Sequence, residues 1–319
     1  MAVHAFIFPG QGSQAVGMGR DLAAAFGSAR EVFGEVDETL KQKLSKLMFE
    51  GPADELTLTE NTQPALMAHS LAVLRVLERE GGFGLADKAV VVAGHSLGEY
   101  SALAAAGSFS VAQAARLLRL RGQAMQKAVP AGEGAMAALL GAELELAREI
   151  CAAAAAAPDG KREVIEPAND NGGGQVVISG AKAAVERAME IARGKGVKRA
   201  LLLPVSAPFH CALMAPAADA MGEALEASRP GAPLVPLIAN VTAAKATNPD
   251  EIARLLVAQV TATVRWRESV QAMVGLGVDS FVELGAGKVL AGLVRRIVPD
   301  AAAASVGSPA EIEQILRTL

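Results

Sequence analysis

A serine between two glycines stands where a predicted strand turns into a predicted helix. The segment 94–98, Gly-His-Ser-Leu-Gly, follows the apolar run 89–93 and precedes the helix-compatible run 100–106. This context is typical of a nucleophile elbow, a sharp turn that exposes the serine hydroxyl at a helix N-terminus. Free amides and the positive dipole end at that position can stabilise an oxyanion. We therefore predict that Ser96 is a nucleophile, although a chain with 32 glycines could also contain the pentapeptide by chance.

A serine hydroxyl needs a base, and the chain contains four histidines. His4 falls in the first predicted strand, and His69 falls in a predicted helix among apolar residues. His95 neighbours Ser96, so its side chain should point away from the nucleophile. His210 remains, in a loop with two prolines that suit a residue held in place. Elimination makes His210 the candidate general base, and we expect it to titrate near neutrality.

No acidic residue is obviously placed to orient His210. Asp219, Asp250 and Asp279 follow it in the chain, but none lies in a turn that singles it out. A backbone carbonyl could hold the imidazole tautomer instead. The missing acid weakens the interpretation of the chain as a simple hydrolase.

A second glycine-rich segment, residues 8–14, follows the first predicted strand. Gly10, Gly12 and Ala15 nominally fit the spacing of a dinucleotide-binding fingerprint. That motif also needs a second strand ending in an acid about 20 residues later, whereas residues 18–47 look helical. A nicotinamide site is therefore a poor fit, and a loop of amides at a strand end can equally supply oxyanion donors.

Three arginines, Arg116, Arg119 and Arg121, lie on the predicted helix 110–127. Such spacing usually indicates a solvated helix face. Gly122 directly after Arg121 could let a ligand approach. From the residues alone, the solvated face is the favoured interpretation.

Strands alternate with helices over most of the chain, which predicts a mostly parallel sheet covered on both faces. The predicted strands are 3–8, 89–93, 234–238 and 280–283, and the predicted helices include 64–79, 110–127, 211–227 and 289–297.

The middle of the chain has a different order, strand-helix-strand-strand-helix-strand, which is the ferredoxin-like unit. Its predicted elements are 135–140, 143–157, 163–167, 175–179, 181–193 and 198–203. We predict a small domain, residues 131–203, inserted into a larger α/β domain made of residues 1–130 and 204–319. A cleft between two such domains is a natural ligand site.

Composition excludes several classes of protein. The net charge is −4 and 51% of residues are hydrophobic, which excludes a disordered chain and makes a general nucleic-acid binder a poor fit. Cys151 and Cys211 cannot build a disulfide framework, and with scattered histidines they do not make a zinc site. No apolar run approaches the roughly 18 residues of a membrane span, and the N-terminal apolar run is too short for a signal peptide. We expect a cytoplasmic, monomeric, metal-free protein that binds neither nucleic acid nor membrane.

Seven segments, in order along essentially the whole chain, resemble signatures of the malonyl-CoA:acyl-carrier-protein transacylases. They are 10–14, 63–66, 94–100, 169–180, 208–210, 264–266 and 285–290. The resemblance implies an α/β-hydrolase-like large subdomain with a ferredoxin-like insertion, which agrees with the elements predicted above.

Carried over position by position, the resemblance makes Ser96 the acyl-accepting nucleophile and His210 its base. Arg121 matches the arginine that pairs with the free carboxylate of the malonyl group, which replaces the solvated-face interpretation for this residue. Gln259 matches the residue whose backbone carbonyl holds the histidine, which would account for the missing acid.

The resemblance also assigns the surroundings of the reacting carbonyl. Gln11 and the Leu97 amide match the oxyanion-binding positions. Phe209 resembles the bulky residue that precedes the histidine in malonyl-selective members.

The implied activity is a two-step transfer of malonyl from malonyl-CoA to the phosphopantetheine thiol of an acyl carrier protein, which supplies fatty acid synthesis. It implies no metal or redox cofactor. Because carrier proteins are typically acidic, the enzyme needs a local basic docking patch. Candidate residues in the insertion are Arg193, Lys195, Lys198 and Arg199, which could equally be an ordinary solvated turn.

Two other functions remain open at this point. An esterase or thioesterase could use the same elbow, and it would require an acid partner for His210 and no anion-binding arginine in the acyl pocket. A non-catalytic carrier-binding module would be expected to have lost Ser96 or His210.

Overall fold

The computed structural model describes residues 2–205 and 207–319. Within them, the strands are β1 (His4–Phe8), β2 (Ala89–Gly94), β3 (Gly134–Leu140), β4 (Ile165–Asp170), β5 (Gln175–Ala181), β6 (Arg199–Leu202), β7 (Leu237–Ile238), β8 (Lys245–Ala246), β9 (Ser280–Leu284) and β10 (Ala302–Val306). The helices before the insertion are α1 (Arg20–Ala25), α2 (Gly27–Leu40), α3 (Leu44–Glu50), α4 (Ala53–Thr57), α5 (Thr59–Gly81), α6 (Leu85–Lys88), α7 (Gly98–Ala105) and α8 (Val111–Ala128). The later ones are α9 (Leu144–Ala154), α10 (Lys182–Gly194), α11 (Ala215–Ala227), α12 (Pro249–Gln259), α13 (Trp266–Gly275), α14 (Val289–Ile297) and α15 (Pro309–Ile315).

The large sheet has the order β10-β9-β1-β2-β7-β8, and every neighbouring pair is parallel except β7 with β8. Successive side chains of a strand point to opposite faces, and both faces here are covered. In β1, Phe6 and Phe8 pack into the core shared with α5, α7 and α8, whereas Ala5 and Ile7 pack with Trp266 on the opposite face. This two-sided burial explains why β1 and β2 read as almost continuous apolar runs.

The second sheet has the order β4-β5-β3-β6 and is wholly antiparallel. Helices α9 and α10 cover one face, where residues such as Leu139 and Ile178 meet Ile150 and Val185. The opposite face contributes Met136 and other residues to the main core. The predicted fold class, a parallel α/β sheet with a separate ferredoxin-like βαββαβ unit, is confirmed. The boundaries of that unit at residues 131 and 203 stay a prediction.

The two sheets are joined by backbone hydrogen bonds at one corner. The Val264 amide donates to the Ala168 carbonyl at 2.8 Å, and the Asp170 amide donates to the Val264 carbonyl at 2.9 Å. Arg267 then pairs with the buried Asp170 carboxylate at 2.8 Å. The small sheet is therefore fixed to the large one at the end of β4.

Several predicted boundaries were wrong. The helix expected over 64–79 is longer, because its N-terminal turns are buried and packing outweighs the single donor lost at Pro64. The strand expected over 234–238 shrinks to β7, since Leu234 is 69% exposed and lies outside the sheet. The strand expected over 163–167 is displaced to β4, whose far end reaches Val264. No helix in the described ranges is both long and apolar enough to cross a bilayer.

Candidate active site

The elbow between β2 and α7 depends on its two glycines. A Cβ atom added to Gly94 would lie 1.9 Å from the Gly98 carbonyl carbon, and one added to Gly98 would lie 2.2 Å from the Phe8 carbonyl oxygen. With no side chains there, the chain can turn tightly enough to hold Ser96 at φ 55°, in the left-handed region. The Ser96 amide donates to Asn240 Oδ1 at 2.8 Å, which stabilises this conformation.

Ser96 and His210 are brought together from positions 114 residues apart. Ser96 Oγ lies 2.7 Å from His210 Nε2, and His210 Nδ1 lies 2.8 Å from the backbone carbonyl of Gln259. A carbonyl oxygen can only accept, so Nδ1 carries the proton and Nε2 is free to accept from the serine hydroxyl. Among the described residues no carboxylate contacts His210, and the carbonyl takes the place of the acid.

The expectation that His210 titrates near neutrality is wrong. Burial, followed by the positive charge of Arg121, lowers the pKa of His210 to about 3. Both effects disfavour the charged imidazolium. The imidazole is therefore neutral, and able to accept a proton, throughout the neutral pH range.

Arg121 lies in the protein interior with 1% of its surface exposed, so the solvated-face interpretation is wrong for this residue. Its Nη1 donates to Gln63 Oε1 at 2.9 Å, and its Nη2 donates to Gln259 Oε1 at 2.8 Å and to Ser96 Oγ at 3.2 Å. Its Nε is buried without a partner in the described chain. The guanidinium thus contacts the nucleophile, and its Nε donor has no acceptor among the described residues.

Gly122 serves packing between helices. A Cβ atom there would lie 2.6 Å from the Cα of Glu60, so this glycine lets α8 approach α5 closely. The expected approach of a ligand at Gly122 is therefore wrong. The close packing of α8 on α5 is what places the Arg121 side chain inside the molecule.

The two predicted oxyanion donors flank Ser96. The Leu97 amide, at the N-cap of α7, donates to no other residue in the described ranges. Gln11 follows β1, and its Nε2 lies 3.4 Å from Thr59 Oγ1. The Leu97 amide can therefore donate to an oxygen atom that develops negative charge beside Ser96, and Gln11 lines the same cavity as Ser96.

These groups surround one cavity of about 460 Å³ between the two sheets. Its walls are formed by Gln11, Gly12, Gln14, Thr57, Gln63, His95, Ser96, Leu97, Arg121, Met125, Met136, Asn169, Leu203, Pro204, Val205, Phe209 and His210. Of the predicted site residues, only Gln259 lies behind the wall rather than on it. Phe209 is buried and lines the cavity together with His210.

Other predicted residues have structural contacts. His95 turns away from Ser96, and its Nε2 lies 2.9 Å from Asn171 Oδ1 in the small subdomain. His69 Nε2 lies 3.0 Å from the Gly307 carbonyl. Cys211 is buried beside the Pro208 carbonyl. In the described chain, no cluster of histidine, cysteine or acidic side chains is arranged to hold a metal ion.

Sequence reasoning missed three polar residues at the site. Asn240 donates from Nδ2 to the Gly94 carbonyl at 2.7 Å and accepts from the Ser96 amide, so it holds the first half of the elbow. Nothing in its sequence context signals this. Gln63, by contrast, lies in segment 63–66, which resembles a transacylase signature, and it is a polar residue inside an apolar helix. Glu99 lies in segment 94–100, another of these signature-like segments, and it contacts the Gln259 side chain.

The sequence and the fold are similar to those of characterised transferases. Residues 5–311 match the family described as acyl transferase domain. The malonyl CoA-acyl carrier protein transacylase of Escherichia coli (strain K12) is 46% identical over 316 residues, covering 99% of each chain. That of Bacillus subtilis (strain 168) is 44% identical over 319 residues, covering 100% of this chain and 98% of the relative.

Solved structures agree. The acyl-carrier-protein-S-malonyltransferase from Bartonella henselae is 56% identical and superposes with a TM-score of 0.95 over 99% of both chains. A malonyl-transacylase in complex with its type II PKS acyl-carrier protein is 43% identical, with a TM-score of 0.94 over 100% of both chains. This chain therefore belongs to the acyl transferase domain family and, within it, to the malonyl CoA-acyl carrier protein transacylases.

Proposed function

We propose that this enzyme transfers malonyl from malonyl-CoA to the phosphopantetheine thiol of an acyl carrier protein through an ester on Ser96. The observation that carries the assignment of residues is the position of Arg121. Its guanidinium lies 3.2 Å from the Ser96 hydroxyl, in the same cavity as the base. Membership of a family whose relatives carry out this reaction supports the overall activity.

In the first step, His210 Nε2 takes the proton of Ser96 as Oγ attacks the thioester carbonyl. The carbonyl oxygen becomes an oxyanion, which Gln11 and the Leu97 amide stabilise. The tetrahedral intermediate then collapses, the carbon–sulfur bond breaks, and coenzyme A leaves with the proton held by His210.

In the second step, the carrier thiol attacks the Ser96 ester, and His210 accepts the thiol proton. Collapse of the second intermediate breaks the ester bond, and Oγ recovers a proton from His210. Atoms and protons balance and no oxidation state changes, so the two steps need no redox cofactor.

The malonyl carboxylate is the reason for a buried arginine. A carboxylate loses hydration when it enters the cavity, which is costly unless the charge is paired. A guanidinium can meet it with two parallel charge-assisted hydrogen bonds. Nη2 of Arg121, which now donates to Ser96 Oγ at 3.2 Å, is the donor nearest to the reacting atom and is placed to turn toward such a carboxylate.

The hydrolase and the non-catalytic module are both disfavoured. A hydrolase on this elbow would use an acid to orient His210, and a carbonyl occupies that position instead. It would also have no use for a buried cation beside the nucleophile. A non-catalytic module would not retain a serine and a histidine in contact at 2.7 Å.

The test is the intact-protein mass after mixing with malonyl-CoA. We expect a malonyl adduct that maps to Ser96, is absent from the S96A variant, and is discharged by carrier protein faster than by water. An adduct that persists in S96A would refute the nucleophile assignment. Discharge by water as fast as by carrier protein would favour the hydrolase.

We further propose a monomeric, cytoplasmic enzyme with a basic carrier-docking patch. Two unpaired, buried cysteines suit a reducing compartment. Within the candidate patch, Arg193 pairs with Glu190 and Lys195 pairs with Glu149. Exposed Lys198 and Arg199 form no ion pair with any described residue and are the stronger docking candidates.

A further inference from the structure

Glu99 is an acidic side chain next to the site with no part in the reaction described above. It is the second residue of α7, three positions after Ser96, and 1% of its surface is exposed. Its Oε2 accepts a hydrogen bond from Gln259 Nε2, and its Oε1 has no partner among the described residues. Burial of a carboxyl group with half of its oxygens unsatisfied destabilises a protein, so stability does not explain this residue.

Gln259 connects four groups of the site, three through its side chain and one through its backbone carbonyl. Its Nε2 donates to the Ser96 carbonyl at 3.0 Å and to Glu99, and its Oε1 accepts from Arg121 at 2.8 Å. The backbone carbonyl of the same residue accepts from His210. The placement of Gln259 therefore affects the cation and the base together.

Only one orientation of the Gln259 amide satisfies these neighbours. If the amide were flipped, Oε1 would face the oxygens of Ser96 and Glu99, all of them acceptors. The NH₂ group would then face the guanidinium of Arg121, which can only donate. In the observed orientation, an ionised Glu99 accepts a charge-assisted hydrogen bond from Gln259 Nε2. In the flipped orientation, the same carboxylate would repel Gln259 Oε1.

We propose that Glu99 is a positioning residue for malonyl transfer: it fixes the Gln259 amide so that Oε1 holds Arg121 while the Gln259 carbonyl holds His210. This role rests on the proposed function. It makes acyl-group selectivity depend on a residue that touches neither substrate.

The charge of Glu99 is set by its surroundings. Burial raises the pKa of its carboxyl to about 7, opposed by the Gln259 hydrogen bond, the Asn240 backbone amide and the positive charge of Arg121. The ionisable groups that face it are Arg121 from α8, Tyr100 on its own helix and, across Gln259, His210. Below neutral pH the protonated acid loses its charge-assisted contact with Gln259. Selectivity for malonyl over acetyl should therefore rise with pH through neutrality.

The experiment compares full-length wild type with the E99Q and E99A variants. The measurement is kcat/KM for malonyl-CoA and for acetyl-CoA, from below to above neutral pH. E99A should lower the malonyl value about tenfold or more relative to the acetyl value, as expected for loss of one charge-assisted contact. E99Q keeps a neutral acceptor for Gln259 and does not titrate, so at every pH its selectivity should match the low-pH value of wild type and exceed that of E99A.

The matched control is E283Q. Glu283 is also fully buried, but it accepts from the Leu290 and Ala291 amides, whereas Glu99 accepts from the Gln259 side chain. This variant should leave both the selectivity and its pH profile unchanged.

An unchanged malonyl-to-acetyl ratio in E99A, or a pH profile of E99Q that superposes on that of wild type, would overturn the proposal. If circular dichroism shows that E99A does not fold, the proposal is tested with the near-isosteric E99Q alone, by comparing the pH dependence of its malonyl-to-acetyl ratio with that of wild type. Failure of the proposed function can be told apart from failure of the Glu99 proposal, because wild type would then form no malonyl adduct at all.

Discussion

Arg121 holds a positive charge where the surrounding protein excludes water. Its neighbours Gln63, Gln259 and Ser96 all accept hydrogen bonds without carrying a charge. The cation is therefore solvated by neutral groups and retains its attraction for an incoming carboxylate. The same charge adds to the effect of burial in lowering the pKa of His210, so the residue proposed to select the substrate also acts on the base.

We expect R121A to lower kcat/KM for malonyl-CoA by at least about 10²-fold, because charged hydrogen bonds contribute roughly 1.5–3 kcal/mol each. Transfer of acetyl should be unchanged or faster, since acetyl has no carboxylate to pair. R121K should fall between, keeping the charge without the planar fork. Steady-state kinetics with both thioesters provides the measurement. An equal loss for malonyl and acetyl would show that Arg121 is only structural.

For His210, replacement by alanine should slow formation of the acyl-enzyme by about 10²- to 10⁴-fold. In wild type, the rate of acetyl-enzyme formation should be flat through the neutral range, because the pKa lowered to about 3 keeps the imidazole neutral there. The rate should fall only in acid, as protonation removes the acceptor. Stopped-flow acylation with acetyl-CoA gives the profile. A midpoint near pH 6.5 would mean that His210 has an ordinary pKa.

At the scale of elements, the elbow links the end of β2 to the start of α7 and contacts the end of β1. The Gly98 backbone lies so close to the Phe8 carbonyl that a methyl group there would meet it at 2.2 Å. Backbone atoms cannot move aside as a flexible side chain can. The turn therefore tolerates no added Cβ without displacing a central strand.

We expect G98A to destabilise the protein by about 3 kcal/mol or more, at the upper end of overpacking effects. The matched control is G34A, since Gly34 lies in the exposed face of α2 and a Cβ there meets nothing within 4 Å. This control should be neutral or stabilise by up to about 1 kcal/mol. Urea denaturation measures both. Similar stabilities for the two variants would contradict the steric account.

At the scale of the whole molecule, the cavity exists because two sheets are held at a fixed separation. Backbone hydrogen bonds between β4 and residue 264 join the two sheets, and an ion pair between Arg267 and Asp170 reinforces this junction. Both Nε and Nη2 of Arg267 donate to Asp170 Oδ2, at 2.9 and 2.8 Å. Asn171 then reaches His95 beside the nucleophile, so the small subdomain contacts the elbow directly.

Removing Arg267 leaves the 1% exposed Asp170 carboxylate without its cation, so R267A should destabilise the protein by roughly 1–3 kcal/mol. This range is below that of a fully buried pair because Arg267 is 30% exposed. The control R20A breaks the solvent-exposed pair with Asp21 and should cost about 0–1 kcal/mol. Thermal denaturation of both variants checks the difference. Equal midpoints would show that the junction does not depend on this pair.

Local rules acting on a few neighbouring residues predicted a large part of this protein. Glycines on either side of Ser96 lack a Cβ atom and so permit a tight turn, which is why the local pattern predicted the elbow. The apolar runs in β1 and β2 predicted strands buried on both faces, and the element order 131–203 predicted the ferredoxin-like unit. These features depend on side chains within a few positions of one another, which the chain itself displays.

The tertiary structure alone decided the electrostatics of the site. Arg121 contacts Ser96 and Gln259, which stand 25 and 138 residues away, and its spacing among other arginines pointed instead to a solvated face. The family resemblance implied that Arg121 pairs with the malonyl carboxylate, but only the folded structure showed which groups contact its guanidinium. The lowered pKa of His210 and the raised pKa of Glu99 likewise follow from desolvation. Desolvation depends on every group packed around a side chain, and those groups come from distant parts of the chain.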